Sequence, residues 1–77
     1  MRYRLDMTLR QAEGSLLRVL GTTQRRGYQT IGVYGATSAD GDRWHLSLIV
    51  ESDRPADVLK SQLDKLYDCL AVEVAPC

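Results

Sequence analysis

From Tyr3 to Arg10 apolar and polar residues alternate: Tyr3, Leu5, Met7 and Leu9 fall on one side, Arg4, Asp6, Thr8 and Arg10 on the other. A period of two predicts a strand with one buried and one wetted face. After the short connection Gln11-Ala-Glu-Gly14 the period lengthens. Leu16, Val19, Leu20 and Thr23 recur at helical spacing, with Arg18, Gln24 and Arg25 toward water. Arg25 and Arg26 suit the negative end of the helix dipole, and Gly27 sits where a helix is commonly terminated. Gly21 is costly inside a helix, by about 1 kcal/mol against alanine, and close packing of helix on sheet would account for it.

Ile31 and Val33 restart the two-residue period in a second strand, Gln29 to Thr37, and Ser38-Ala-Asp-Gly-Asp42 is a turn cluster. Trp44, Leu46, Leu48 and Val50 then alternate with His45, Ser47, Ile49 and Glu51 in the clearest strand of the chain. Ser52-Asp53 offers a cap and Arg54-Pro55 a helix start. Leu59, Leu63 and Leu66, extended by Leu70, form the stripe of a second helix, and Leu70, Val72 and Val74 a last short strand stopped by Pro76.

The order β-α-β-β-α-β, with right-handed crossovers, predicts an α+β fold of the ferredoxin-like kind: a four-stranded antiparallel sheet with both helices on one face. The expected opposite face carries Arg4, Asp6, Thr8, Thr30, Tyr34, His45, Ser47, Ile49, Ala71 and Glu73. It is mostly polar, with Tyr34, Ile49 and Ala71 making a contact surface conceivable beside plain solvent exposure.

Seventy-seven residues make one domain, 1–77, with a modest core. Below about 80 residues a single core rarely supplies more than ~3–5 kcal/mol, so a staple or a partner is expected. Cys69 and Cys77 are too few for a disulfide framework, and one histidine with no CxxC pair gives neither a zinc site nor a redox pair. Association between chains is the remaining way to bury more surface. The cysteine usage suits a reducing cytosol, the first residues lack the apolar run of a signal peptide, and no run is long enough for a membrane span. A cytoplasmic location is therefore expected.

Ten basic and ten acidic residues cancel, but unevenly along the chain. Arg2, Arg4, Arg10, Arg18, Arg25 and Arg26 face only Asp6 and Glu13 in the first third, while acids outnumber bases in the rest. Two ordinary solvated faces or complementary subunit surfaces both follow from that asymmetry. A neutral chain without a basic stripe interleaved with aromatics lacks the footprint of a nucleic-acid binder.

No catalytic constellation converges. His45, the sole histidine, falls at an outward strand position, and neither cysteine has an activating neighbour. A phosphate-binding GxxxxGK[ST] run is missing, and Gly27, Gly32 and Gly35 do not make a dinucleotide fingerprint. Asp40 and Asp42 bracket a turn glycine and read as a loop rather than a metal cage; Trp44 and Tyr67 read as core or rim. No catalytic and no metal-binding residue is nominated. The connection Gln11 to Gly14 is the better candidate for function. It delivers a strand end to a helix start, where free N–H groups and the dipole favour an anion such as a carboxylate. An ordinary helix entrance with a turn glycine explains the same residues, and both readings stand.

Gly14-x-Leu16-x-Arg18-Val19 followed by Gln24-Arg-Arg-Gly-Tyr28, with Ser61-Gln-Leu-Asp-Lys-Leu-Tyr-Asp68 and Val72-Glu-Val74, resembles the ACT domain of the small regulatory subunits of acetolactate synthase (acetohydroxyacid synthase). The likeness covers about residues 3 to 75 and is greatest to the short isozyme II form, which lacks an extra C-terminal domain. It implies the same βαββαβ fold, side-by-side homodimers through sheets or helices, and amino acid binding near the first strand-to-helix connection. It also implies no catalysis or cofactor in this chain. The partner would be a large catalytic subunit carrying thiamine diphosphate, magnesium and FAD, in branched-chain amino acid synthesis. The effector site carried over comprises Gln11, Ala12, Glu13, Gly14, Ser15, Gln29 and Thr30. Valine-responsive relatives typically have asparagine where Gln11 and Gln29 stand. The longer amides alter the reach of both grips on a valine, leucine or isoleucine effector, so activation and assembly are favoured over feedback. The alternative is a free-standing amino acid sensor acting on another enzyme or regulator; a small enzyme on this scaffold is the third reading, since fold does not dictate function.

Overall fold

In the computed structural model residues 1–76 are described, Pro76 by its backbone only; Cys77 lies outside them. Six elements follow one another: β1 (Arg2–Arg10), α1 (Ser15–Arg25), β2 (Gln29–Thr37), β3 (Arg43–Glu51), α2 (Ala56–Asp64) and β4 (Cys69–Pro76). The strands form one antiparallel sheet in the order β2-β3-β1-β4, the ferredoxin-like arrangement that the periodicities predict.

Register explains which residues form the core. Leu5 lies opposite Leu48 and Val74, and Met7 opposite Leu46 and Val72, so the odd positions of β1 share one face with the even positions of its neighbours. That face is buried under the helices. Leu5, Leu9, Leu48 and Val50 meet Val19 from α1 and Leu59 and Leu63 from α2, each fully buried. Tyr28 is buried where α1 leaves the sheet, and its hydroxyl donates to the Pro55 carbonyl at 2.6 Å, tying the end of α1 to the start of α2. Burial raises the Tyr28 pKa above its ordinary value.

Gly27 closes α1 as the pattern predicts. At φ +88° it turns the chain left-handed, and the N–H groups of Gly27 and Tyr28 donate to the carbonyls of Gln24 and Thr23. This double closure satisfies carbonyls the helix would otherwise leave bare.

Several expectations are corrected. Thr30 does not share the outer face with Tyr34. The register slips between Thr30 and Gly32, so Thr30 lies opposite core-facing Val50, and Ile31 is the extra residue of a bulge. A bulge reverses the alternation, which a strict period of two cannot foresee. The second helix is shorter than its leucine stripe suggests. It stops at Asp64; Leu66 and Cys69 close turns onto Leu63 and Leu66 through backbone bonds, and Leu70 belongs to β4. Ser52 does not cap α2, whose N-cap is Pro55 with no side-chain bond. Its hydroxyl instead donates to the Gly27 carbonyl and accepts the Arg54 N–H. Gly21 is not packed on the sheet: a Cβ there would meet the Arg25 guanidinium, 3.0 Å away on the same helix.

Candidate functional site

The β1–α1 connection is held by its own side chains. Gly14 takes φ +78°, a left-handed conformation that side-chain-bearing residues adopt at a cost, and a Cβ on it would lie 2.9 Å from Arg18 Nη1. Ser15 is buried, and its Oγ lies 2.7 Å from the Ala12 carbonyl and 2.9 Å from the Arg10 carbonyl while accepting the Ala12 N–H at 3.2 Å. The serine thus fastens the loop from inside. Gln11 and Glu13 are exposed, the former donating its N–H to the Asp42 carbonyl at 3.1 Å.

Arg18 lies across this connection. Its Nη2 donates to the Glu13 carbonyl at 2.8 Å, and its Nε donates to the buried carboxylate of Asp68 just before β4. Arg10 makes a second fastening. Its N–H donates to the Asp68 carbonyl at 2.7 Å, its Nε to the Tyr67 carbonyl at 3.1 Å, and its guanidinium sits 4.6 Å from the Tyr67 ring centroid. Arg18, which the helical period places toward water, and Tyr67, read as core or rim, are therefore parts of one latch. Only the i-to-i+50 separation of Arg18 and Asp68 hid it from the sequence.

The start of α1 itself is left without a cap. No side chain caps α1 and no acid occupies its first turn. Ser15 and Arg18 send their N–H groups to Ala12 and Gly14, and among the described residues no acceptor meets those of Leu16 and Leu17. Bare N–H groups at the positive end of a helix dipole suit a carboxylate.

Gln29 and Thr30 are elsewhere. Gln29 lies opposite Glu51, itself opposite Arg2, whereas Gln11 follows Arg10, which lies opposite Arg43. Eight residue steps along the strand separate the two ends, about 26 Å at ~3.3 Å per step. One protomer therefore does not bring Gln11 and Gln29 together. Thr30 Oγ1 is buried and meets no hydrogen-bond partner.

The histidine, the buried cysteine and the paired turn acids lie apart from one another. His45 is exposed on the outer sheet face, Cys69 is buried with its thiol pKa raised by desolvation, and Asp40 and Asp42 are bound into a turn by Ser38. Among the described residues no three His, Cys, Asp or Glu side chains are placed to share a metal, and no helix is long and apolar enough to cross a membrane.

Comparison with known proteins converges on one family. Residues 11–72 match the family model of the ACT domain. The small subunit of acetolactate synthase isozyme 1 from Escherichia coli K12 is 32% identical over 69 residues, covering 90% of this chain and 72% of that protein. The isozyme 2 small subunit of the same strain is 31% identical over 74 residues, covering 96% of this chain and 85% of that protein. In shape the chain is similar to part of a formyltetrahydrofolate deformylase from Burkholderia mallei, with a TM-score of 0.70 at 13% identity over 27% of that enzyme. It is similar also to the C-terminal domain of MgtC from Mycobacterium tuberculosis, with a TM-score of 0.69 at 13% identity over 84% of that domain. At such identity these two show the fold alone.

Proposed function

The chain belongs to the family of acetolactate synthase small subunits built on an ACT domain, and from that premise we propose that it binds and activates the large catalytic subunit. It is a regulatory chain, not a catalytic one. Thiamine diphosphate, magnesium and FAD belong, in this reading, to the large subunit, and the product is an acetohydroxy acid for branched-chain amino acid synthesis. The observation that carries the reading is sustained similarity to two such small subunits over nine-tenths of the chain. The larger share of the isozyme 2 protein that is covered, 85% against 72%, supports placement with that short form.

Self-association through the free edge of β2 completes the proposal. This nine-residue strand pairs with β3 on one side and presents the backbone groups of alternate residues unpaired on the other, with Ile31, Val33 and Tyr34 exposed along it. Antiparallel pairing of two β2 strands sets the Gln29 end of one copy beside the Thr37 end of the other. That is the end of the sheet where Gln11 lies, since Thr37 is opposite Trp44 and Trp44 opposite Leu9. An amino acid whose carboxylate met Leu16 and Leu17 of one copy would thus look toward Gln29 of the other. The extra methylene of each glutamine weakens such a grip, so activation outweighs feedback.

Mixing the chain with its purified large subunit and following acetolactate formation tests the main reading; co-elution and increased activity are expected, and failure of both overturns it. Calorimetric titration with valine, leucine and isoleucine tests the effector part. Binding no tighter than ~1 mM is expected; micromolar binding by the isolated chain would favour a free-standing sensor.

A further inference from the structure

The outer face of the sheet is uncovered, and its side chains are laid out by register in cross-strand rows. The central row reads Glu73, Asp6, Ser47, Tyr34 from β4 to β2, and the next reads Ala71, Thr8, His45, Ala36. Short side chains at Thr8, Ser47 and Ala71 leave an open depression of about 340 Å³, walled by Asp6, Glu73 and His45. Tyr34, at the β2 end of the central row, is 63% exposed with its ring beside Gly32.

The charges in the depression are unbalanced. Asp6 and Glu73 are directly opposite on neighbouring strands, an arrangement of like charges that costs stability. Asp6 is compensated, with Arg4 Nε at 3.3 Å and the Ser47 hydroxyl donating at 2.7 Å. Glu73 makes no ion pair or side-chain hydrogen bond among the described residues. Nothing in the fold requires an acid here; a threonine or valine at 73 would pair across the strands without repulsion.

Area points the same way. Four strands about 30 Å long at ~4.8 Å spacing make a face of roughly 550 Å². A stable interface takes about 800 Å² from each partner. The side chains on such a footprint carry more accessible surface than its flat outline, so one face is of the order a partner contributes, and two sheets joined edge to edge through β2 offer about twice as much.

We propose that this outer sheet face is the surface that meets the large subunit, and that a lysine or arginine of that subunit enters the depression to pair with Glu73. This rests on the subunit reading above and adds to it a surface and a chemistry. The β2 edge and the helical layer are then left to self-association and to the α1 entrance. A small floor lets the incoming side chain approach the sheet, and Tyr34 and Ile49 supply apolar contact around it, an arrangement in which a central charge pair sets register and the aromatic rim excludes water.

Titration of the purified large subunit with wild-type chain, Glu73→Lys, Ala71→Trp and, as a control for charge alone, Asp53→Lys tests this, with circular dichroism confirming that each variant is folded. Asp53 is exposed in the β3–α2 connection, away from the outer face. Glu73→Lys and Ala71→Trp are each expected to raise the concentration for half-maximal stimulation at least tenfold, and Asp53→Lys to change it less than twofold. Should Glu73→Lys not fold, Glu73→Gln replaces it, with an expected loss of at least threefold and a weaker dependence on salt. Stimulation by both outer-face variants within twofold of wild type overturns the assignment of this face while leaving the subunit reading intact. Absence of stimulation and co-elution with wild-type chain overturns the subunit reading, and this inference with it.

Discussion

Strands β2 and β3 are both nine residues long, lie side by side and open with or contain alternating apolar residues, yet β3 buries Leu46, Leu48 and Val50 while β2 leaves Ile31 and Val33 each 41% exposed. The chemistry of the side chains does not separate them. Position does. β3 lies inside the sheet between β1 and β2, and β2 lies at the edge with a neighbour on one side only. The bulge at Ile31 widens the difference by taking that residue out of register. An apolar period therefore reports a strand, but only a covering layer turns it into a core, and the uncovered half of the pattern marks surface available to a second chain.

This contrast can be broken from either side. The largest effect is expected in β3. Leu48→Ala empties a fully buried site at ~2–5 kcal/mol, close to the whole stability of a domain this small, so thermal or urea melts should find it largely unfolded. A comparable loss from Val33→Ala in β2 would remove the distinction between the strands. The latch at the α1 entrance comes next. Asp68→Asn removes the charge that meets Arg18 and should cost about 1–2 kcal/mol in urea unfolding, less than for a fully buried pair because the Arg18 side chain is 50% exposed. Gly14→Ala should cost about as much, from the left-handed backbone and the Arg18 contact together, and retention of full stability would show that the entrance relaxes.

A smaller effect on folding, and a larger one on association, is expected at the edge. Val33→Lys should change chemical stability by less than ~0.5 kcal/mol yet weaken self-association in sedimentation, because charge on an edge strand opposes pairing. The smallest effect is in the turn beside that edge. The Ser38 hydroxyl, donating at 2.6 Å, holds the Asp40 carboxyl at a pKa of about 2 rather than 3.8. A depressed carboxyl stabilises the turn above pH ~4 and ceases to do so as pH falls toward 2. Nuclear magnetic resonance of Ser38 and Asp40 should register that titration at low pH, and Ser38→Ala should move it upward.

How much was readable in advance follows the same division. Strand β3, helix α1 and the Gly27 closure were legible because period, cap and dipole act within a few residues. The bulge at Thr30–Gly32 was not, since one extra residue in an edge strand leaves the composition of the run unchanged. The leucine stripe overstates helix α2, because Leu66 and Leu70 continue the period although the helix has already ended at Lys65. In the candidate site, the strand-to-helix change of period marks Gly14 and its neighbours, but the pinning of that loop by Arg18, Asp68 and Arg10 depends on residues fifty or more positions apart.

Order and type of the six elements, the outward place of His45 and the regulatory family were thus determined along the chain itself, by local backbone preference and by motif. Tertiary structure alone decided that Gln11 and Gln29 stand at opposite ends of the sheet, that Thr30 turns inward, and that Glu73 lies directly opposite Asp6. Local rules act over one or two turns of chain, whereas these three facts arise from the pairing of strands distant in sequence, where a shift of one residue exchanges the two faces.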